Sequence, residues 1–141
     1  MEDKKTEELM ILKSFRECYI DFPKGMLNAS ESPDFILSLG PRKKIGLELT
    51  RLQRSHSGAD PFSFENISEC LKSKEEKLVL YRRKKLQEYW LILAVHDHSD
   101  NPRYNLHNKF MVWRFDTGYN RIFIFNVTNG DVYKLKKSRK N

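Results

Sequence analysis

The stretch whose reading decides the fold runs from Asp34 to Leu52, DFILSLGPRKKIGLELTRL. Two apolar-rich segments, 34–39 and 44–52, flank Gly40-Pro41-Arg42-Lys43, residues with turn chemistry. In the second segment Ile45, Leu47 and Leu49 alternate, the period of a half-buried strand. Together they predict a β-hairpin. If its turn centres on Pro41, Asp34 and Glu48 fall opposite each other, because each lies seven positions from that centre. Directly opposed residues hold their Cβ atoms about 5 Å apart, within reach of one cation. Strand alternation sends Phe35, Leu37, Leu47 and Leu49 to the other face. Facing carboxylates repel unless something positive sits between them, and a hard cation such as Mg²⁺ prefers oxygen ligands. The plainer reading is an exposed acid pair at a hairpin, with Lys43 or Arg51 as counterion, since exposed acids are what surfaces contain.

Outward from the hairpin, residues 4–19 predict a helix with Ile11, Leu12, Phe15 and Cys18 on one face. Glu8 projects near the middle of that apolar arc, where a carboxylate is costly unless it is paired or metal-linked. The alternative is a first-turn glutamate that reaches outward and favours the helix N-terminus. A polar loop over 28–33 leads into the hairpin, and residues 53–62 form another. From about Ser63 to Lys85 a long helix is expected, with Ile67, Cys70, Leu71, Leu78 and Tyr81 along one side. Lys74 projects from the centre of that side, and Lys77 lies at its margin. A lysine so placed needs an anionic partner, or else lays its stem on the sheet and keeps its ammonium in water.

Trp90 to Val95 is a continuous apolar run, the pattern of a strand buried on both faces. A helical stretch is expected around 104–115, then a strand over Arg121–Val127, the two-residue hairpin signal Asn129-Gly130, and a returning strand over Asp131–Leu135. The order α-β-β-α-β-(α)-β-β predicts an α/β sandwich with a mixed sheet and a C-terminal β-hairpin, as one domain over residues 1–141.

Composition bounds the function classes. The chain has 141 residues, 39% apolar and 32% charged, which suits a globular domain rather than a disordered one. No apolar run approaches the roughly 20 residues of a membrane span, and the charged opening Met1–Lys5 predicts no signal peptide. The expectation is an intracellular, cytoplasmic protein without a membrane partner. Cys18 and Cys70, the only cysteines, fall on apolar helix faces and are expected to be small buried hydrophobes rather than disulfide or zinc partners. The formal net charge of +7, from 26 Lys and Arg against 19 Asp and Glu, favours an anionic partner. Part of that excess lies in the basic tail from about 134 to 141, which could equally be a solvated end.

These residues resemble a known family. Ser32-Pro33-Asp34-Phe35-Ile36-Leu37 followed by Ile45-Gly46-Leu47-Glu48-Leu49-Thr50 is similar to the signature of the PD-(D/E)XK nuclease superfamily. The resemblance extends to the leading helix with Glu8, the following helix with Lys74, Lys77 and Tyr81, and the strand Trp90–Leu93, covering about residues 7–95. It implies a three-layer α/β/α restriction-endonuclease-like sandwich and phosphodiester hydrolysis, of DNA ahead of RNA, assisted by Mg²⁺ or Mn²⁺. Asp34 and Glu48 would match the metal-binding acids and Glu8 the acid from the first helix. One position departs from the pattern. The motif lysine is Thr50 here, and Lys74 from the neighbouring helix would have to supply the ammonium, as happens in some branches of the superfamily. On that reading Asp34, Glu48, Lys74 and Glu8 are catalytic, with Thr50, Gln53 and Lys77 in support, and cutting both strands would favour a homodimer. The rival class is an inactive nuclease-fold module that binds nucleic acid or a protein partner, and Thr50 is the feature that favours it.

Other candidates weigh less. His56 reads as a solvated loop histidine. His96 and His98 share a face at a strand end without an evident third ligand. Arg82, Arg83, Lys84 and Lys85 could contact phosphates or complement a helix C-terminus. Trp90, Trp113, Phe123 and Phe125 read as packing aromatics.

Overall fold

Glu48 sits in the third of three strands that open a six-stranded sheet, and the chain order explains how it gets there. The computed structural model describes residues 4–31, 33–52, 61–96 and 103–138, with side chains at 103–105 left aside. Helix α1 (Lys4–Cys18) precedes strands β1 (Met26–Ala29), β2 (Phe35–Gly40) and β3 (Lys43–Arg51). Helix α2 (Phe64–Tyr81) and a 3₁₀ turn (Arg82–Lys84) lead to β4 (Glu88–Val95). Then come α3 (Arg103–Val112), β5 (Arg114–Phe115), β6 (Arg121–Asn126), β7 (Val132–Lys134) and β8 (Lys136–Lys137). The protein is thus an α/β protein with three helices, a mixed sheet of order β1-β2-β3-β4-β6-β7, and a separate β5-β8 pair.

β1, β2 and β3 form an antiparallel meander, β3, β4 and β6 run parallel, and β7 returns antiparallel on β6. Parallel neighbours require a crossover, and α2 and α3 supply the two crossovers. The sheet is covered on both faces. Ile11, Leu12 and Phe15 of α1 pack on Phe35, Leu47, Ile92 and Phe123. On the other face Ile67, Leu71 and Leu78 of α2, with Leu106 and Phe110 of α3, pack on Leu91, Leu93 and Ile124. From Tyr89 to Val95 β4 therefore contributes buried apolar residues to both faces, which is why its sequence shows no alternation.

Gly46, beside Glu48 in β3, is required by close packing. A Cβ there would lie 2.8 Å from both Leu86 Cδ1 and Pro33 Cγ. Helix α2 starts with Ser63 accepting the Asn66 amide at 3.2 Å, a side-chain cap for one otherwise unpaired N–H.

Several expectations are corrected. Residues 26–29 form an edge strand, where the polar character of 28–33 suggested a loop throughout. β1 is exposed or half-exposed along its length, so it carries no buried alternation to detect. The long helix ends at Tyr81 rather than Lys85, because Arg82–Lys84 tighten into a 3₁₀ turn and Lys85 takes a left-handed conformation with φ 55°. The C-terminal hairpin closes by a four-residue turn over 127–130 rather than a two-residue one. Asn126 accepts the Thr128 amide and Asn129 the Asp131 amide, while Gly130 adopts φ 82°. These side-chain turns take over the role assigned to a tight Asn-Gly pair. Cys18 is exposed rather than buried, one turn beyond the packed part of α1, whereas Cys70 is half-buried against the core. Lys136 and Lys137 pair with β5 instead of trailing as a solvated end. Among the described residues no helix is long and apolar enough to cross a membrane.

Candidate functional site

The hairpin register decides the site. Phe35 pairs with Leu47, Ile36 with Gly46 and Leu37 with Ile45. Asp34, immediately before β2, therefore falls beside Glu48. The register shifts between Ser38 and Gly40, so Gly40 faces Lys43 across a short turn while the body of the hairpin keeps its pairing. Where β2 has not yet begun, β3 would expose the Leu49 amide at its edge, and Asp34 Oδ2 accepts that N–H at 2.9 Å. The aspartate thus stands in for the missing strand backbone.

Glu48 projects to the α2 face and is 3% exposed. Its Oε2 accepts the Tyr81 hydroxyl at 2.5 Å. Burial, reinforced by a hydrogen bond with the Asp34 carboxyl and by that group's charge, pushes the Glu48 pKa up from 4.5 to about 7. The Tyr81 hydroxyl and the Lys74 charge oppose the rise without cancelling it. A neighbouring cation would favour the ionised form of Glu48 and oppose that rise.

Lys74 and Tyr81 are seven residues apart, two helical turns, and so project from the same face of α2. Lys74 is half-buried. Burial lowers its pKa, the nearby Lys77 lowers it further, and Glu48 and Asp34 pull it back up. Lys74 is held from behind by Tyr119, buried in the loop before β6, whose hydroxyl donates to the Lys74 carbonyl at 3.3 Å. Burial and the neighbouring Glu48 and Tyr81 drive the Tyr119 hydroxyl away from ionisation.

Glu8 approaches from the opposite layer. Lys5 Nζ lies 3.7 Å from Glu8 Oε1 and 3.8 Å from Asp34 Oδ1, and it donates to the Ser30 and Asp34 carbonyls at 2.7 and 3.1 Å. Its ammonium also sits 4.7 Å from the centre of the Phe35 ring. Burial and the Asp34 charge raise the Glu8 pKa, against the pull of Lys5. Glu8 and Glu48 belong to opposite faces, and Asp34 meets both because it stands at the end of a strand. A cleft of about 330 Å³ opens beside them, lined by Glu7, Glu8, Leu49, Thr50, Lys74 and Ala94 among others. It lies at the C-terminal ends of parallel β3 and β4, where open α/β sheets carry their ligand sites.

The remaining candidates are placed as follows. Thr50 lines the cleft, half-buried, without a cationic group of its own. Lys77 is exposed and acts on Lys74, whose pKa it lowers. Gln53, His56 and His98 lie outside the described residues, and His96 is exposed. Arg82, Arg83, Lys84 and Lys85 are all exposed; Arg82 Nη2 donates to the Gly118 carbonyl and Lys84 Nζ to Ser30 Oγ, each at 3.4 Å. Trp90, Phe123 and Phe125 are core residues, and Trp113 packs half-buried against α3. Among the described residues no group of three or more histidine, cysteine, aspartate or glutamate side chains converges to hold a metal. The donor set at the hairpin is the pair Asp34 and Glu48.

Sequence reasoning did not find Lys5 as the bridge between Glu8 and Asp34, nor Tyr119 as the support of Lys74, because both depend on long-range packing. Tyr81 carried a signal, since a tyrosine on the apolar face of a helix needs a partner for its hydroxyl. No family model matches the chain, and no curated protein or solved structure matches it.

Proposed function

We propose that this protein is a metal-dependent nuclease that hydrolyses phosphodiester bonds, with DNA the favoured substrate. One observation carries the reading: a carboxylate pair, half-buried Asp34 and buried Glu48, lies beside an ammonium, Lys74, that lines a cleft in a protein of net charge +7. The strand order supports a restriction-endonuclease-like sandwich as the finer fold. An antiparallel meander carries the acids, and a helix with the lysine crosses to the parallel strand that follows.

The donor set fits a hard divalent ion. Mg²⁺ takes oxygen ligands, is often held by only one or two carboxylates, and keeps water in its other positions. Bound there, the ion would lower the pKa of a coordinated water and polarise phosphoryl oxygens. The chain's own residues have distinct tasks. Asp34 is aimed by the Leu49 amide and Glu48 by the Tyr81 hydroxyl, and a cation between them would take the place of the hydrogen bond that links the two carboxyls. Lys74 offsets negative charge that grows on the phosphate as its geometry changes. Its depressed pKa reflects incomplete hydration, which strengthens its attraction for an anion. Glu8, linked through Lys5 to Asp34, completes the negative side of the cleft. Thr50 can hydrogen-bond water but cannot replace an ammonium.

Thr50 supports a second reading, a nuclease-fold module that binds nucleic acid or a protein without cutting. Cleavage of labelled single- and double-stranded DNA and RNA, with Mg²⁺ or Mn²⁺, separates the two. The enzyme reading expects cleavage by the full chain and loss of at least 100-fold in Asp34→Ala, Glu48→Ala and Lys74→Ala, about 3 kcal/mol of transition-state stabilisation each. Cleavage indifferent to all three changes would sink the mechanism; binding without cleavage would favour the module.

A further inference from the structure

A second charged feature lies away from the carboxylates. An open groove of about 400 Å³ is lined by Arg114, Arg121, Lys134, Lys136 and Lys137, with Asn120 and Leu135 completing it. No acid lines it. Arg121 is held in place by Glu88, 3.6 Å from its Nε, and by the Trp90 ring, 4.9 Å from its guanidinium carbon. Among the described residues Arg114, Lys134, Lys136 and Lys137 have no carboxylate partner.

The fold builds this concentration of charge. The parallel pair β5-β8 sets Arg114 beside Lys136 and Phe115 beside Lys137. Leu135 is buried between Lys134 and Lys136, so those two lysines, roughly 6.6 Å apart along an extended chain, both remain available to the groove. Like charges gathered this closely repel, and the arrangement becomes favourable when an anion lies among them. Two further cations, Arg82 and Lys84, lie outside the groove. Arg82 donates to Gly118, in the loop that carries Asn120 into the groove, and Lys84 shares Ser30 with Lys5, the residue that bridges to Asp34.

We infer that this groove binds the phosphate backbone of a nucleic acid. A single small anion would need one convergent pocket, whereas these cations are distributed along an open surface. Regularly spaced phosphates match such a distribution, and contacts of this kind hold and orient a strand without reading its bases. The inference rests on the nucleic-acid part of the proposed function, and not on catalysis.

The test is equilibrium binding of a fluorescent 20-base-pair DNA duplex to the full chain in EDTA, as a function of salt, so that cleavage plays no part. Lys134→Ala/Lys136→Ala/Lys137→Ala is compared with a charge-matched control, Lys13→Ala/Lys24→Ala/Lys43→Ala, and each is checked for folding by thermal melting. The groove triple should weaken binding roughly tenfold or more near 0.1 M salt and reduce the slope of log K against log salt by about 2 to 3, close to 0.9 per lost contact. The control should move both quantities far less. Should the groove triple fail to fold, Lys134→Gln and Lys136→Gln singly should each reduce the slope by about 1. Equal losses in both triples would overturn the inference, as would displacement of the duplex by poly-glutamate at equal charge concentration. Absence of wild-type binding to DNA would overturn it together with the nucleic-acid reading. Loss confined to the groove variant would uphold it even if cleavage assays fail.

Discussion

Replacing Glu48 with glutamine removes one ionisable group from a position 3% exposed while keeping a side chain of the same shape. Glutamine can still accept the Tyr81 hydroxyl and can donate to Asp34. The sign of the effect follows from proton binding. In the unfolded chain Glu48 ionises around 4.5, and in the folded protein around 7. Below pH 4.5 both states hold the proton and the residue contributes no pH dependence. Between about 4.5 and 7 the folded state binds more protons than the unfolded one, so stability falls as pH rises. Above 7 both states are ionised and the full penalty is present. With 1.36 kcal/mol per pK unit, the penalty approaches about 3 kcal/mol. In EDTA, Glu48→Gln should therefore match the wild type near pH 4 and exceed it by up to about 3 kcal/mol at pH 8. For a chain of this length that is a rise in Tm of about 10 °C. Urea unfolding at several pH values, followed by circular dichroism, reads the difference directly. A gap between variant and wild type that stays constant from pH 4 to pH 8 would refute the reasoning, as would a variant less stable at pH 8.

The same geometry makes further predictions. Mg²⁺ should raise wild-type Tm at pH 8, by an amount corresponding to about 2.7 kcal/mol when its concentration is 100 times Kd, and should have little effect on Asp34→Asn/Glu48→Gln; equal responses in both proteins, measured by differential scanning fluorimetry, would remove the carboxylate pair as the metal site. Tyr81→Phe deletes the donor to a buried carboxylate and should cost about 1.5–3 kcal/mol at pH 8 and less at pH 5, where Glu48 is protonated; a loss equal at both pH values would show the hydroxyl to matter only for packing. Gly46→Ala forces a methyl to within 2.8 Å of Leu86 and Pro33 and should destabilise by about 1–3 kcal/mol; urea midpoints unchanged from wild type would show that both side chains yield freely.

Much of the hairpin was legible because its determinants are local. Ile45, Leu47 and Leu49 declare a strand face by alternation, and Gly40-Pro41 declares a turn, so the pairing of Asp34 with Glu48 follows from counting. Lys74 was legible for a similar reason, since helical spacing relates it to Leu71, Leu78 and Tyr81 without reference to the rest of the chain. β1 was not legible: it lies at an exposed edge and buries too little to leave a pattern. The end of α2 was missed because Arg82–Lys84 have good helical propensity, while the packing of Tyr89 beneath them, with its hydroxyl donating to the Tyr81 carbonyl at 2.8 Å, favours an early turn.

By itself the sequence determined the α/β class, the hairpin register and the faces from which Glu8 and Lys74 project, because periodicity of 2 or 3.6 residues is a property of the chain alone. Only the tertiary structure decided what those faces meet. Tyr81 reaches Glu48 from 33 residues away and Lys5 reaches Asp34 from 29, and no local pattern encodes such contacts. The same holds for the basic groove, where Arg114 and Lys136 become neighbours only when β8 pairs with β5. The physical reason is common to all three. Burial and proximity set the strength of charge interactions, and both are defined by the packing of distant segments rather than by order along the chain.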